Sequence, residues 1–399
     1  MARPPGGDPD QATHGGARPG VRPSAEGTAG SSNIRELHVR RLGLVEYEDG
    51  LAAQKHLIAA RVAGLIPDTL LLLEHPRVIT LGRGGRAANI LWPPEVLAAR
   101  GISVYETDRG GDVTYHGPGQ LVGYPILDLK PDRKDVRKYV TSVEELMIRV
   151  AADYGLEAGR VPGRTGIWTP PGKLGAIGVH IARWVTSHGF AFNVTTDLAD
   201  FGAIIPCGIS DAGVASLESL LGRRVPLREV EERFVARAAE VWESEPSEVA
   251  IELPTIAVAI LRAGSAGASP VEVLLLHRTA ARGGFWQTLT GRRESGESPL
   301  QTAAREVHEE TGFAPELRAL RPLDYVHSFA LDPSLGTAAP GRPAFAQETA
   351  FALEVPAGSE PVLDGREHDS YRWCAPEEAL RLLPFAGLRE GLRRALAGR

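Results

Sequence analysis

Three carboxylates, Glu306, Glu309 and Glu310, stand at i, i+3 and i+4 in the run Arg-Glu-Val-His-Glu-Glu-Thr-Gly-Phe that ends at Phe313. On a helix those spacings share one face, so three like charges crowd together at a cost that a cation between them removes. Hard oxygen ligands of this kind suit Mg2+ or Mn2+, cations that bridge readily to phosphates. The element that would position them is legible too. Ser298 or Pro299 can open a helix, residues 302 to 307 can carry it and Gly312 can end it, giving loop, helix, loop. A bare Glu-x-x-Glu-Glu is most often a solvated acidic face. Here Gly291, Glu297 and Arg305 precede or flank it, and Val307 and Phe313 are apolar.

A second set of residues lies in the first half of the chain. Arg109 to Gln120 reads Arg-Gly-Gly-Asp-Val-Thr-Tyr-His-Gly-Pro-Gly-Gln, Lys173 to His180 reads Lys-Leu-Gly-Ala-Ile-Gly-Val-His, and Pro206 to Ile209 reads Pro-Cys-Gly-Ile. The glycines let backbone approach a ligand closely. Cys207 is one of only two cysteines, the other being Cys374, so no disulfide framework is expected. Lysines are also few among many arginines, at 55, 130, 134, 138 and 173 only, which makes Lys173 informative.

A chain of 399 residues predicts two or three domains. With 43% hydrophobic and 24% charged residues and a net charge of -6, it offers no general attraction for nucleic acid or anionic membrane. Apolar clusters such as Leu70 to Leu73 and Val273 to Leu276 fall far short of the roughly 20 residues that span a bilayer, and read as buried strands. Residues 1–33 are rich in Gly, Pro, Ala and Ser, with Val21 the only large aliphatic after Met1, so a disordered tail is expected there. They also lack the apolar stretch of a secretory signal, which points to a reducing cytoplasm.

From Ile34 the pattern turns globular. A helix is expected around Leu51, Ile58 and Val62, then strands over Thr69 to Glu74 and Val78 to Gly82. Val136, Val140, Val143, Met147 and Val150 recur at spacings of four and three, predicting one buried helical stripe. Short β-rich runs between Gly166 and Asn193 read as hairpins, and Val230, Phe234, Ala238 and Trp242 mark another amphipathic helix. Ser, Pro and Glu dominate near Glu243 to Glu248, placing a linker at 243–250 between domains at 34–242 and 251–399. Thr255 to Leu261 and Val271 to His277 read as strands and Gly387 to Ala397 as a closing helix, as though two independent enzymes were fused end to end.

Gly291, Glu297, Arg305, Glu306, Glu309, Glu310 and Gly312, with Val307 and Phe313, together resemble a complete Nudix box. The resemblance implies hydrolysis of a nucleoside diphosphate linked to another group, by metal-assisted attack of water on phosphorus. It implies Glu306 and Glu310 as metal ligands, Glu309 as a further ligand or base and Arg305 as an orienting partner. Phe285 to Gly291, Gln347 to Phe351 and Glu367 to Trp373 resemble the dihydroneopterin triphosphate pyrophosphatase branch. That likeness implies that Glu367 completes the metal site and that Arg278 and Thr290 contact the triphosphate. Trp286 stacks on a base or fills the core. A general nucleoside triphosphate pyrophosphatase, or a nucleotide-sensing module without turnover, are the alternatives, and the intact box argues against the latter.

The three first-half stretches, with Leu72 to Gly82 and His188 to Asn193, resemble the lipoyl(octanoyl) transferase family over roughly Ile34 to Trp242. Its fold is related to biotin and lipoate protein ligases, so the fold class expected is α+β, a mixed-sheet ligase-like domain followed by a Nudix α/β/α sandwich. The implied reaction moves octanoyl from octanoyl-acyl carrier protein to a lysine on lipoyl domains of 2-oxo acid dehydrogenases and the glycine cleavage H protein, with no cofactor. The implied acyl-substrate pocket comprises Arg109, Gly110, Gly111, Asp112, Val113, Thr114, Tyr115 and His116, then Ala176, Ile177 and Gly178, then Gly189, Phe190 and Ala191. The chemistry suits Cys207, because a thiolate is both nucleophile and good leaving group and splits the transfer into two steps. Lys173 is the family-matched ammonium that favours the thiolate. ATP-dependent ligation of free lipoate is the alternative, and needs no Pro-Cys-Gly nucleophile. His75, His180 and His188 show no metal spacing that would point to zinc.

Overall fold

The computed structural model describes residues 34–205, 213–249, 253–264, 269–330, 345–363 and 365–398; the expected tail at 1–33 and the nucleophile candidate Cys207 lie outside them. The first half opens with β1 (Arg35–Leu44), α1 (Tyr47–Val62), β2 (Asp68–Glu74), β3 (Val78–Leu81), α2 (Pro94–Ala99), β4 (Ser103–Glu106), β5 (Val113–His116) and β6 (Gln120–Ile126). It continues through α3 (Val136–Ala152), β7 (Gly159–Val161), β8 (Arg164–Thr169), β9 (Gly172–Ala182), β10 (Val185–Asn193), α4 (Leu217–Leu221), α5 (Leu227–Val241) and β11 (Ser244–Glu248). The second half comprises β12 (Leu253–Ala263), β13 (Val271–Arg278), β14 (Trp286–Gln287), β15 (Leu289–Arg292), α6 (Pro299–Thr311), β16 (Leu320–Ala330), β17 (Phe345–Val355), β18 (His368–Cys374), α7 (Pro376–Leu382) and α8 (Ala386–Ala397).

In the first half a mixed sheet runs β1-β2-β6-β10-β9-β8-β7, and β4-β3-β5 form a small second sheet. Helices α3 and α5 cover one face of the large sheet. Phe234 of α5 lies 4.9 Å from the Phe190 ring and 5.2 Å from Phe192, which points the same way from β10. Helix α3 buries Tyr139, Val143, Leu146, Met147 and Val150. Val136 departs from the expected stripe: it is the first residue of the helix and 48% exposed, the apolar face beginning one turn later at Tyr139.

Helix α6 has the predicted ends. Ser298 Oγ accepts the Gln301 N–H while the Gln301 side chain accepts the Ser298 N–H, Pro299 stands in the first turn, and Gly312 closes the helix at φ +70°. Strands β12, β13, β16 and β17 separate two apolar clusters, one under α6 and one under α7 and α8. Among the described residues no helix is long and apolar enough to cross a membrane.

The region expected as a linker is a strand. Residues 244–248 lie parallel to β1 in register from Arg35↔Ser244 to Val39↔Glu248, because the β1 edge opposite β2 would otherwise leave its backbone groups unpaired. The same edge reaches β16 through Leu44↔His327, so one sheet passes through both halves. At this seam a Cβ on Gly43, which has φ +62°, would collide with the Val326 carbonyl. Gln347 Nε2 donates to the Arg41 carbonyl at 2.8 Å, Leu44 packs into the second-half core and Phe345 into the first-half core. Among the described residues the two halves therefore share a packed seam and one continuous sheet.

Candidate active sites

The first-half pocket is built from β9 and β10 on one side and the loop leading into β5 on the other. Antiparallel pairing places Gly178 opposite Gly189 and Ala176 opposite Ala191, so small residues leave room beside the sheet. The resulting pocket, ≈ 790 Å³ including its open mouth, is lined by Arg109, Gly111, Asp112, Val113, Thr114, His116, Lys173, Ala176, Ile177, Gly178, Gly189, Phe190 and Ala191. Two expected residues are not on that wall. Gly110 instead donates its N–H to the Val179 carbonyl, and Tyr115 turns its hydroxyl away to Asp200 at 2.8 Å, an aspartate also paired with Arg77 and Arg100.

Arg109 is fixed before any ligand arrives, donating from Nε to Thr80 Oγ1 (3.1 Å) and from Nη2 to the Thr80 carbonyl (2.6 Å). A chain of amides orders His116. Gln120 Nε2 donates to Asn193 Oδ1 (2.9 Å), Asn193 Nδ2 donates to the Ala215 carbonyl (2.9 Å), and Gln120 Oε1 therefore accepts from His116 Nδ1 at 2.7 Å. That tautomer leaves His116 Nε2 as an acceptor. Burial, with His75 and Arg109 adding to it, pushes His116 down to about 3, so the ring is neutral. His75 behaves alike: Nδ1 donates to the Val45 carbonyl, Nε2 accepts from the Tyr124 hydroxyl, and burial lowers it to about 4. At the rim Asp108 bridges His180 and His188, each at 2.7 Å.

Lys173 is buried in the pocket wall with its ammonium 5.0 Å from the Trp168 ring centre. Its N–H donates to the Gly213 carbonyl and its carbonyl accepts from Ala215 N–H. Residues 213–215 therefore run beside Lys173, and Val214 joins the pocket lining. Tyr47, Gln120, Tyr124 and Asn193 also line the pocket. Gln120 and Asn193 end motifs that the sequence marks out, whereas nothing local distinguishes Tyr47.

In the second half Arg305 organises the carboxylates. It donates to Glu297 Oε1 (2.8 Å) and Oε2 (3.1 Å), to Glu306 Oε1 (2.9 Å), to Glu309 Oε2 (3.0 Å) and to the Arg292 carbonyl. Those contacts hold the Glu297 carboxyl down at about 2, the hydrogen bonds from Arg305 leading. Gly291 leaves room for the Glu306 side chain, since a Cβ there would meet its carboxyl and have to displace it. Glu310 is buried, and burial together with the charges of Glu306, Glu367 and Glu309 raises it to about 9. Its Oε2 has no hydrogen-bond partner.

Glu367 pairs with Arg282 at 2.8 Å, and Glu306 is turned to Arg305. With those carboxylates engaged by arginines, no group of three acidic, His or Cys side chains stands at metal-holding spacing among the described residues. Yet a buried carboxylate oxygen with no hydrogen bond, 3.7 Å from His368 Nδ1 and among three further carboxylates, fits a divalent cation. Arg278, the last residue of β13, has a buried Nε without a hydrogen-bond partner and acts electrostatically on Glu310. Thr290 Oγ1 accepts from Gln287 Nε2 at 3.2 Å. Half-buried Trp286 lies against the His277 ring and the Arg372 guanidinium.

Residues 46–239 match the lipoyl protein ligase A/B catalytic domain and residues 253–396 match the NUDIX domain. An octanoyltransferase of Myxococcus xanthus is 48% identical over 371 residues, spanning 91% of this chain and 100% of the relative, so both halves recur together there. One from Geobacter metallireducens is 54% identical over 199 residues, 50% of this chain and 90% of the relative. Among solved structures, lipoate-protein ligase A bound with ATP covers 54% of this chain and 90% of its own at 18% identity and a TM-score of 0.47. The Escherichia coli dihydroneopterin triphosphate pyrophosphohydrolase covers 37% and 96% at 27% identity and a TM-score of 0.31.

Proposed function

The chain belongs to the octanoyltransferase family and carries a Nudix hydrolase domain, and from that premise we propose that its first half transfers octanoyl from octanoyl-acyl carrier protein to a lipoyl-domain lysine through a thioester on Cys207. The observation that supports this most is the pocket itself, which gathers Lys173, Arg109 and neutral His116 around small-residue strands and has Val214, seven residues after Cys207, in its wall. In the first step the Cys207 thiolate attacks the thioester carbonyl and the carrier's thiolate leaves. In the second, the acceptor amine attacks the acyl-cysteine, an amide forms, the Cys207 thiolate is regenerated and the amine proton is released. Lys173 supplies positive charge that favours the thiolate in both steps and exchanges the proton that the thiol and then the attacking amine give up. The Arg109 guanidinium and the glycine backbones hold the acyl substrate, and the Asn193–Gln120 amides keep His116 in one tautomer. Incubation with octanoyl-acyl carrier protein followed by intact mass tests the reading: one octanoyl adduct is expected on the wild type and none on Cys207→Ser.

For the second half, we infer hydrolysis of a nucleoside or pterin triphosphate, with dihydroneopterin triphosphate the first substrate to try and ordinary nucleoside triphosphates the alternative. Glu306, Glu310 and Glu367 would hold Mg2+ or Mn2+, which when bound supplies Lewis-acid polarisation of phosphorus and a more acidic water. Arg305 orients Glu306 and Glu309, and leaves Glu309, exposed at the helix surface, able to take a proton from water. Arg278 and Thr290 would contact the phosphates. Pyrophosphate release, with and without chelator, tests this half separately.

A further inference from the structure

The acyl pocket and the Nudix half meet at the start of α1. Glu46 Oε1 accepts the backbone N–H of Ala386, the first residue of α8, at 2.9 Å. That N–H is one of the four at a helix start without an internal partner, and a carboxylate there also meets the positive end of the helix. Arg389, one turn along α8, adds a second attraction to Glu46. The next residue in the chain, Tyr47, is 3% exposed, lines the acyl pocket, and sets its ring 5.1 Å from His75 and 6.5 Å from His116. Further along the same helix, Gln54 Oε1 accepts the N–H of His188 at 2.6 Å. His188 also lines the pocket and holds a left-handed backbone at φ +54°, a conformation a non-glycine residue keeps only when its surroundings enforce it.

One rigid rod thus has its first turn fastened to the second half and two of its side chains fastened to the pocket. A helix transmits a displacement of its end along its length because its backbone hydrogen bonds resist bending. We propose that Glu46 is a positioning residue for acyl transfer: through its hydrogen bond to Ala386 the Nudix half fixes helix α1, and with it the Tyr47 and His188 walls of the acyl pocket. This rests on reading that pocket as the octanoyl site. It gives the fusion a physical consequence, since the seam also exchanges Leu44 and Phe345 between the two cores. Coupling of this kind is reciprocal: an acyl donor that orders Tyr47 and His188 must also steady the start of α8.

The test uses the full chain with Glu46→Ala and Glu46→Gln. The glutamine amide oxygen still accepts the Ala386 N–H, whereas alanine cannot. Glu46→Ala is expected to raise KM for octanoyl-acyl carrier protein by about fivefold, the loss of one ordinary hydrogen bond, with kcat little changed and Glu46→Gln close to wild type. Hydrogen exchange at the start of α8 should slow when wild-type protein is saturated with octanoyl-acyl carrier protein, and should not respond in Glu46→Ala. An unchanged KM in Glu46→Ala, equal impairment in both variants, or α8 exchange indifferent to the donor in wild type would each overturn the proposal. If Glu46→Ala does not fold, the Glu46→Gln kinetics and the wild-type exchange decide it. Wild-type protein that neither binds nor turns over octanoyl-acyl carrier protein would instead sink the underlying reading of the pocket.

Discussion

Arg305 grips Glu297 through two guanidinium nitrogens, at 2.8 and 3.1 Å, across eight residues of sequence. The same guanidinium reaches Glu306, Glu309 and the Arg292 carbonyl, so one planar fork ties the loop before α6 to the acidic face of the helix.

Arg305→Lys keeps the charge and loses the fork. A lysine ammonium cannot span Glu297, Glu306 and Arg292 at once, and Glu306 is left without its fixed orientation. Pyrophosphate release should fall by about 10-fold to 100-fold, the usual cost of losing a group that orients a ligand carboxylate. Octanoyl transfer should be retained within twofold, roughly the scatter of an exposed surface substitution. Hydrolysis at the wild-type rate would show that Arg305 does not organise the site.

Lys173→Arg separates charge from proton exchange. Arginine preserves a cation but hardly ever deprotonates. The variant should fold, as circular dichroism can verify, yet transfer octanoyl at least ten times more slowly, about 1.4 kcal/mol in activation free energy. Wild-type rate and wild-type thiol titration together would remove Lys173 from the mechanism.

His75 gives a pH signature of folding. Its folded value of about 4 lies below the ordinary 6.5, so between those limits the unfolded chain binds a proton that the folded chain does not. Its contribution is present above pH 6.5 and is lost as pH falls towards 4, on the order of 3 kcal/mol for the full shift. Buried Glu348, raised to about 8 chiefly by burial, pulls the other way over much of that range, so the bare wild-type curve is not diagnostic. Urea unfolding of wild type and His75→Gln at pH 7.5 and 5 isolates the histidine: wild type should lose stability relative to the variant on acidification. A constant difference between the two would mean that His75 does not stay neutral.

These expectations were legible to different degrees for physical reasons. Helix α6 announces itself because its cap, first-turn proline, terminal glycine and carboxylate spacing are all local. The first-half pocket is readable because its walls carry runs of glycine and small residues in a few short motifs, although Tyr115 shows that a residue inside such a motif can point to the opposite side. Tyr47 was hidden, since its role arises from where α1 packs and not from its neighbours in sequence. So was the seam: Ser244 to Glu248 has the composition of a linker, and only the free edge of β1, a tertiary feature, makes it a strand.

Glu310→Gln tests the carboxylate site most directly. Glutamine keeps the side-chain shape but removes one ligand charge from a group whose Oε2 is buried without a hydrogen bond, 3.7 Å from His368 Nδ1. Hydrolysis should drop below a hundredth of wild type if Glu310 holds the cation, by analogy with the cost of removing a buried charged partner. A second readout does not depend on turnover. Millimolar Mg2+ or Mn2+ should raise the Tm of wild type, because a ligand that binds only the folded state stabilises it in proportion to the logarithm of its concentration, and should move the variant far less. Octanoyl transfer should survive, since Glu310 lies on α6 under the face of the second-half sheet opposite α8, away from the Glu46 contact. Equal metal-induced shifts in wild type and variant, or hydrolysis untouched by chelator, would place the cation elsewhere, and parallel loss of octanoyl transfer would show that the α6 face communicates with the acyl pocket by a route other than α8.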